Sequence, residues 1–85
     1  MYEVRYDNAA RKQVAALPKD VAASIMDTAD RLADWPHHGC DVKPLKGSYK
    51  HKWRLRIGDY RAIFAVDDGA HRVTVSRVSH RGKGY

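Results

Sequence analysis

A strictly alternating stretch near the middle of the chain constrains its fold more than any other feature. From residue 52 to residue 57 the sequence reads Lys-Trp-Arg-Leu-Arg-Ile, with basic and apolar side chains in turn. Because successive side chains of a β-strand point to opposite faces, such a strand has one face for a core and one basic face. The pattern therefore predicts a sheet that is covered on one side and carries exposed cations on the other.

Two further strands are predicted after this one. Gly58 and Asp59 interrupt the alternation, residues 60–66 form a second apolar-rich run, and residues 71–79 form a third that is rich in valine. The segment between the last two, residues 67–70, reads Asp-Asp-Gly-Ala and has the chemistry of a turn. The second and third strands are therefore expected to form a hairpin.

The first half of the chain supplies the layer that covers this sheet. Residues 2–6 alternate and predict a short half-buried strand. A helix capped by Asp7 or Asn8 is predicted over residues 9–17, and a second one from Pro18 to about residue 34. Residues 36–49 are expected to form an irregular loop. The predicted fold is a single α+β domain over residues 1–85, of order β-α-α-β-β-β. A helical hairpin packs on one face of its mainly antiparallel four-stranded sheet.

Positive charge is concentrated in the second half. Residues 1–42 hold five Lys/Arg and seven Asp/Glu, a net charge of −2, whereas residues 43–85 hold eleven and three, a net charge of +8. Such a basic half is typical of a surface that binds polyanions, although a solvated basic face without a role is the simpler alternative.

The remaining totals narrow the class of protein. Cys40 is the lone cysteine and cannot form an internal disulfide. No stretch approaches the roughly 20 apolar residues that cross a bilayer, so we expect a cytoplasmic protein without membrane contact. The run from His37 to Cys40 has too few ligands for a zinc site, and no base stands beside Cys40 to activate it as a nucleophile. We expect no metal and no cofactor.

Four short motifs in a fixed order carry a resemblance to a known family. They are Leu45-Lys46-Gly47, Trp53-Arg54-Leu55-Arg56-Ile57-Gly58-Asp59-Tyr60-Arg61, Arg77-Val78-Ser79-His80-Arg81 and the final Tyr85. With them the chain resembles the RelE/ParE toxins of type II toxin–antitoxin pairs, and this implies the RelE-like microbial ribonuclease fold. RelE-like members cut messenger RNA in the ribosomal A site, whereas ParE-like members inhibit DNA gyrase without phosphoester chemistry.

The resemblance implies the RelE-like branch, because five positions match its catalytic residues. They are Lys52, Arg54, Arg61, Arg81 and Tyr85. The implied reaction needs no metal: the 2′-hydroxyl attacks the adjacent phosphate and leaves a 2′,3′-cyclic phosphate and a 5′-hydroxyl. A guanidinium forks onto two phosphate oxygens, so Arg61 and Arg81 suit stabilisation of the developing charge. Tyr85 is expected to stack on a base or to orient the 2′-hydroxyl.

One departure from the family pattern concerns the general base. RelE-type chains have a lysine where this chain has Arg54, and an arginine does not give up its proton in proteins. If the lysine is the base in relatives, that role passes here to Tyr85 or to His80. RNA contacts are expected from Lys46, Lys50, Arg56, Lys83 and His80, whereas Arg77 is interpreted as a surface residue or an antitoxin contact.

The resemblance also implies partners. These are the ribosome with its mRNA and a cognate antitoxin whose acidic residues reach the basic face, with operator DNA bound only through the toxin–antitoxin complex. Two alternatives stay open: a ParE-like inhibitor of gyrase that is not an enzyme, and a basic RNA- or ribosome-binding module that has lost catalysis.

Overall fold

The computed structural model describes residues 1–37, 39–45 and 52–80, and in them five strands form one sheet that two helices cover. The elements in chain order are β1 (Glu3–Tyr6), α1 (Asn8–Ala15), α2 (Lys19–Asp30) with a following 3₁₀ turn (Arg31–Asp34), β2 (Val42–Pro44), β3 (Lys52–Ile57), β4 (Tyr60–Asp67) and β5 (Arg72–His80). No helix in this part of the chain is long and apolar enough to cross a membrane.

The sheet has the strand order β1-β5-β4-β3-β2, with β1 and β5 parallel and every other pair antiparallel. The predicted α+β class and mainly antiparallel sheet are confirmed, but the predicted count of four strands is wrong. The additional strand is β2, which lies in the stretch predicted as an irregular loop. It is too short to show a periodic pattern, and its Pro44 is tolerated because β2 is an edge strand.

Local chemistry explains where the helices begin. Asp7 caps α1, since its Oδ1 accepts a hydrogen bond of 2.9 Å from the N–H of Ala10. Pro18 stands immediately before α2, at the cap position. The first helix ends at Ala15, two residues before its predicted end. The second was predicted to reach residue 34, but its last turn tightens into the 3₁₀ turn.

The core lies between the helices and one face of the sheet. Leu55 and Phe64 are fully buried on the sheet side, and Ile25 and Leu32 meet them from α2 and the 3₁₀ turn. Trp35 packs at one end of this core, with its ring edge-on to that of Phe64 at a centroid distance of 5.6 Å. The apolar side chains of β3 therefore point under the helices, as its alternation predicts.

A β-bulge in β5 sets the direction of the last side chains. Phe64 of β4 pairs with Val75, but Ile63 pairs with Arg77, so Ser76 is an extra residue in β5. The Ser76 hydroxyl donates to the C=O of Ile63 at 3.2 Å. Because one residue is inserted, the alternation reverses beyond Ser76, and Arg77 lies on the open face of the sheet.

Candidate nucleic-acid interface

The open face of the sheet collects arginines in cross-strand register. Arg56 of β3 is opposite Arg61 of β4, which is opposite Ser79 of β5. In the next row Arg54 is opposite Ile63, which is opposite Arg77. Residues directly opposite in antiparallel strands share a face, with Cβ atoms about 4.5–5.5 Å apart. We call the four residues Arg54, Arg56, Arg61 and Arg77 the arginine face.

This arrangement carries an electrostatic cost. Arg56 and Arg61 lie directly opposite each other, and like charges in that position destabilise a sheet. Proteins depart from such rules mainly at functional sites. A planar guanidinium is also well suited to hold phosphate oxygens in pairs. The arginine face therefore has the chemistry of a phosphate-binding surface.

The Arg54 side chain is held by Asp41, which lies outside the three consecutive strands β3, β4 and β5. Its Nη2 is 3.4 Å from Oδ1 of Asp41, a residue just before β2, and the C=O of Asp41 accepts from the N–H of Arg56 at 2.9 Å. The Arg54 side chain is only 13% exposed. Its buried Nε has no hydrogen-bond partner among the described residues, so it retains bonding capacity toward a ligand.

The other predicted site residues are distributed unevenly. Lys52 also lies on this face, opposite Ala65 and two residues before Arg54 in β3. His80 is opposite Tyr60, and their rings meet edge-on at a centroid distance of 5.0 Å. Since Arg61 and Tyr60 point to opposite faces, the sheet separates His80 from the arginine face. Five predicted residues lie outside the described part of the chain: Lys46, Lys50, Arg81, Lys83 and Tyr85.

Three residues of this site were not assigned an RNA contact from the sequence. Arg77 was interpreted as a surface residue or an antitoxin contact, and neither Ser79 nor Asp41 was named as a site residue. A signal for the first two exists, because Val73, Val75 and Val78 are spaced by two and then three residues, a break in the alternation that indicates a bulge. The contact of Asp41 with Arg54 depends on the pairing of β2 with β3 and has no local sequence signal.

The described residues favour neither a reactive thiolate or phenolate nor a metal site. Burial raises the pKa of the Cys40 thiol, with a smaller opposite effect from Arg31, so the thiolate is disfavoured. Burial also raises the pKa of the Tyr6 phenol to about 12, and this residue lies on the helix side of the sheet. Residues 1–37, 39–45 and 52–80 contain no group of three potential metal ligands.

A family model matches almost the whole chain. The model describes the ParE toxin of the type II toxin–antitoxin system parDE, and it matches residues 4–85. The chain belongs to this toxin family. The predicted resemblance to RelE/ParE toxins is therefore confirmed, and the protein is a toxin of the type II toxin–antitoxin class.

Relatives of this chain carry the names Toxin RelE and Toxin RelG. A protein of Mycobacterium tuberculosis (strain ATCC 25618 / H37Rv), Toxin RelE, is 32% identical over 85 residues, which cover 99% of this chain and 86% of that protein.

Solved structures agree with the observed fold. The toxin–antitoxin complex RelBE2 of M. tuberculosis contains a chain that superposes with a TM-score of 0.83 at 31% identity, covering 94% of this chain and 98% of that one. The archaeal RelE–RelB complex of Pyrococcus horikoshii OT3 gives a TM-score of 0.79 at 26% identity, covering 98% of both chains.

Proposed function

We propose that this toxin is a ribosome-dependent endoribonuclease that cuts mRNA in the A site and thereby arrests translation. The observation that carries the proposal is the register of Arg54, Arg56 and Arg61 on the sheet face opposite the helices. The names of the relatives favour this RelE-like activity over the ParE-like inhibition of gyrase.

Some residues of the site stabilise the charge on the reacting phosphate, and others hold the neighbouring phosphates of the RNA. Arg61 and Arg81 stabilise the charge that develops on the phosphate, since a guanidinium stays protonated and forks onto two oxygens. Lys52, Arg54 and Arg56 hold neighbouring phosphates of the message. Arg54 is fixed in advance by Asp41, so less freedom is lost when RNA binds.

Proton transfer requires a different group. The proton of the 2′-hydroxyl must leave as its oxygen attacks phosphorus, and the departing 5′-oxygen takes a proton from solvent water as its bond to phosphorus breaks. None of the arginines can accept a proton. His80 lies on the helix side of the sheet, so we assign the first transfer to Tyr85, the other candidate base in the sequence.

The partners follow from this activity. Translation takes place in the cytoplasm, where we expect the toxin to meet the ribosome and its message. The two solved complexes pair toxins with RelB proteins, and we propose an equivalent cognate antitoxin for this chain, with operator DNA bound through that complex.

The test is primer extension on a message translated in a cell-free system. The wild-type chain is expected to produce breaks within A-site codons, and Arg61→Ala to lower their rate by about 100-fold. Arg61→Lys keeps the positive charge but cannot bind two phosphate oxygens at once. Its cleavage rate should lie between those of the wild type and Arg61→Ala. Arg72→Ala is the matched control, because Arg72 lies at the other end of the open face, bound to Glu3 at 3.2 Å.

Two outcomes would contradict the proposal. Equal loss of cleavage in Arg61→Ala and Arg72→Ala would remove Arg61 from the site. An intact message, combined with inhibition of DNA gyrase in a supercoiling assay, would replace the nuclease with the ParE-like alternative.

A further inference from the structure

The two halves of β5 have different neighbours on the side away from β4. There β1 pairs with residues 72–75, and in the described part of the chain no strand lies beside residues 76–80. This second half nevertheless belongs to the site, because it carries Arg77 and Ser79 and leads to Arg81. Its position in the sheet therefore needs another support.

A side chain of α1 binds the edge that β1 does not cover. The N–H of Val78 donates to Oε1 of Gln13 at 2.6 Å. Because the backbone groups of successive strand residues point in opposite directions, those of Arg77 and Ser79 face β4 while that of Val78 faces Gln13. Gln13 thus satisfies this edge at the position where a further strand would bind.

This hydrogen bond lies next to the β-bulge. The hydroxyl of Ser76, the extra residue, donates to the C=O of Ile63, and the bond to Gln13 follows two residues later. The two bonds therefore flank Arg77 on either side. Since a bulge locally disrupts the ladder of backbone bonds, the segment around Arg77 depends on these side-chain contacts more than a regular strand does.

Gln13 belongs to the opposite side of the sheet from the arginine face. Its neighbours in α1, Ala10 and Val14, lie in the same buried cluster as Val78. Val78 and Arg77 are successive strand residues and point to opposite faces. Gln13 therefore does not contact RNA on the arginine face, and it can act on the reaction only through the position of β5.

We propose that Gln13 is a positioning residue for cleavage. Its hydrogen bond to Val78 holds the strand that carries Arg77 and leads to Arg81, and so fixes where these guanidinium groups meet the reacting phosphate. The inference rests on the proposed function, because it assigns Gln13 a part in that same reaction.

The other cations of the site are held independently of Gln13. Lys52, Arg54 and Arg56 lie on β3, and Asp41 contacts the side chain of Arg54 and the backbone of Arg56. These cations hold neighbouring phosphates in the bound message. Loss of the bond from Gln13 should therefore leave RNA binding nearly intact and slow the chemical step.

The experiment compares three variants with the wild type in the cell-free cleavage reaction, with ribosomes that carry a message as the substrate. Gln13→Leu keeps a side chain of similar size and removes the acceptor. Gln13→Glu keeps an oxygen that can accept from the N–H of Val78. Val14→Ala is the matched control, because it removes buried volume from the next residue of the same helix and leaves the hydrogen bond in place.

Gln13→Leu is expected to lower kcat about tenfold with KM within about twofold of the wild type, because misplaced groups cost rate more than ground-state binding. Gln13→Glu and Val14→Ala should keep kcat within about threefold, although urea unfolding should show that Val14→Ala is less stable. Amide exchange measured by NMR on the free toxin should become faster at Val78 in Gln13→Leu and stay slow in Gln13→Glu.

Several results would overturn the inference. An unchanged kcat in Gln13→Leu would do so, as would a rise in KM alone, which would place the effect on RNA binding. An equal loss of kcat in Val14→Ala, or no recovery in Gln13→Glu, would leave Gln13 with a structural role only. Absence of cleavage by the wild type is a separate outcome, because it contradicts the proposed function itself and removes the inference with it.

Discussion

The ion pair between Asp41 and Arg54 gives the sharpest test of how this site is built. Asp41→Asn keeps the shape of the side chain and removes its charge, which leaves the Arg54 guanidinium without the carboxylate that lies 3.4 Å from its Nη2. The Asp41 side chain is 52% exposed and that of Arg54 is 13% exposed, so the pair is neither a surface pair nor a buried one.

The coupling free energy of the Asp41–Arg54 ion pair lies between two limits. Exposed ion pairs contribute about 0–1 kcal/mol, and loss of one partner of a buried pair costs about 3–5 kcal/mol. The long N–O distance and the exposure of Asp41 place the coupling near the lower limit, at about 1 kcal/mol. In a domain of this size that corresponds to a fall in Tm of about 4–8 °C.

The assay is a double-mutant cycle by thermal unfolding. The wild type, Asp41→Asn, Arg54→Gln and the double variant are compared at pH 7, and the coupling free energy is the departure from additivity. Because Arg54 is mostly buried, salt should weaken this coupling only in part. A coupling below about 0.3 kcal/mol would refute the conclusion that Asp41 fixes Arg54.

Three further predictions concern the fold. Tyr6 has a pKa of about 12, above that of an unfolded tyrosine, so its contribution to the free energy of unfolding is complete below about pH 10 and is lost as pH rises toward 12; urea unfolding of Tyr6→Phe should lack that decline. Phe64→Ala should lower the free energy of unfolding by about 3–5 kcal/mol, and a loss below about 1 kcal/mol would mean that Phe64 is not central to the core. Asp7→Ala should cost about 1 kcal/mol by the same measurement, and Asp7→Asn, which keeps a capping oxygen, should cost less.

The alternation of residues 52–57 predicted which face of the sheet is buried, because six residues of strict period two place all apolar side chains on one side. It placed Leu55 in the core and Arg54 and Arg56 on the open face, where the structure has them. The signal is local, since it needs only the geometry of one strand.

The bulge could not be derived in the same way. The bulge depends on how Val78 packs in the core. It also depends on the hydrogen bond of 2.6 Å that the N–H of Val78 donates to Oε1 of Gln13 in α1. These two residues are 65 positions apart in the chain. The break in the valine spacing indicates a bulge, but the position of Arg77 on the arginine face is decided by packing against a helix. Similarly, β2 forms by pairing with β3, so the sequence of residues 42–44 alone does not predict it.

The pairing of the first strand with the last has a consequence for synthesis. Glu3 is opposite Arg72, 69 positions later in the chain, so β1 cannot join the sheet until that segment has left the ribosome. Contacts between distant parts of a chain also form slowly, because a long loop must close first. The groove lined by β1 and the two helices forms in that same step. The sheet therefore gains β1 only after the chain that forms β5 has been made.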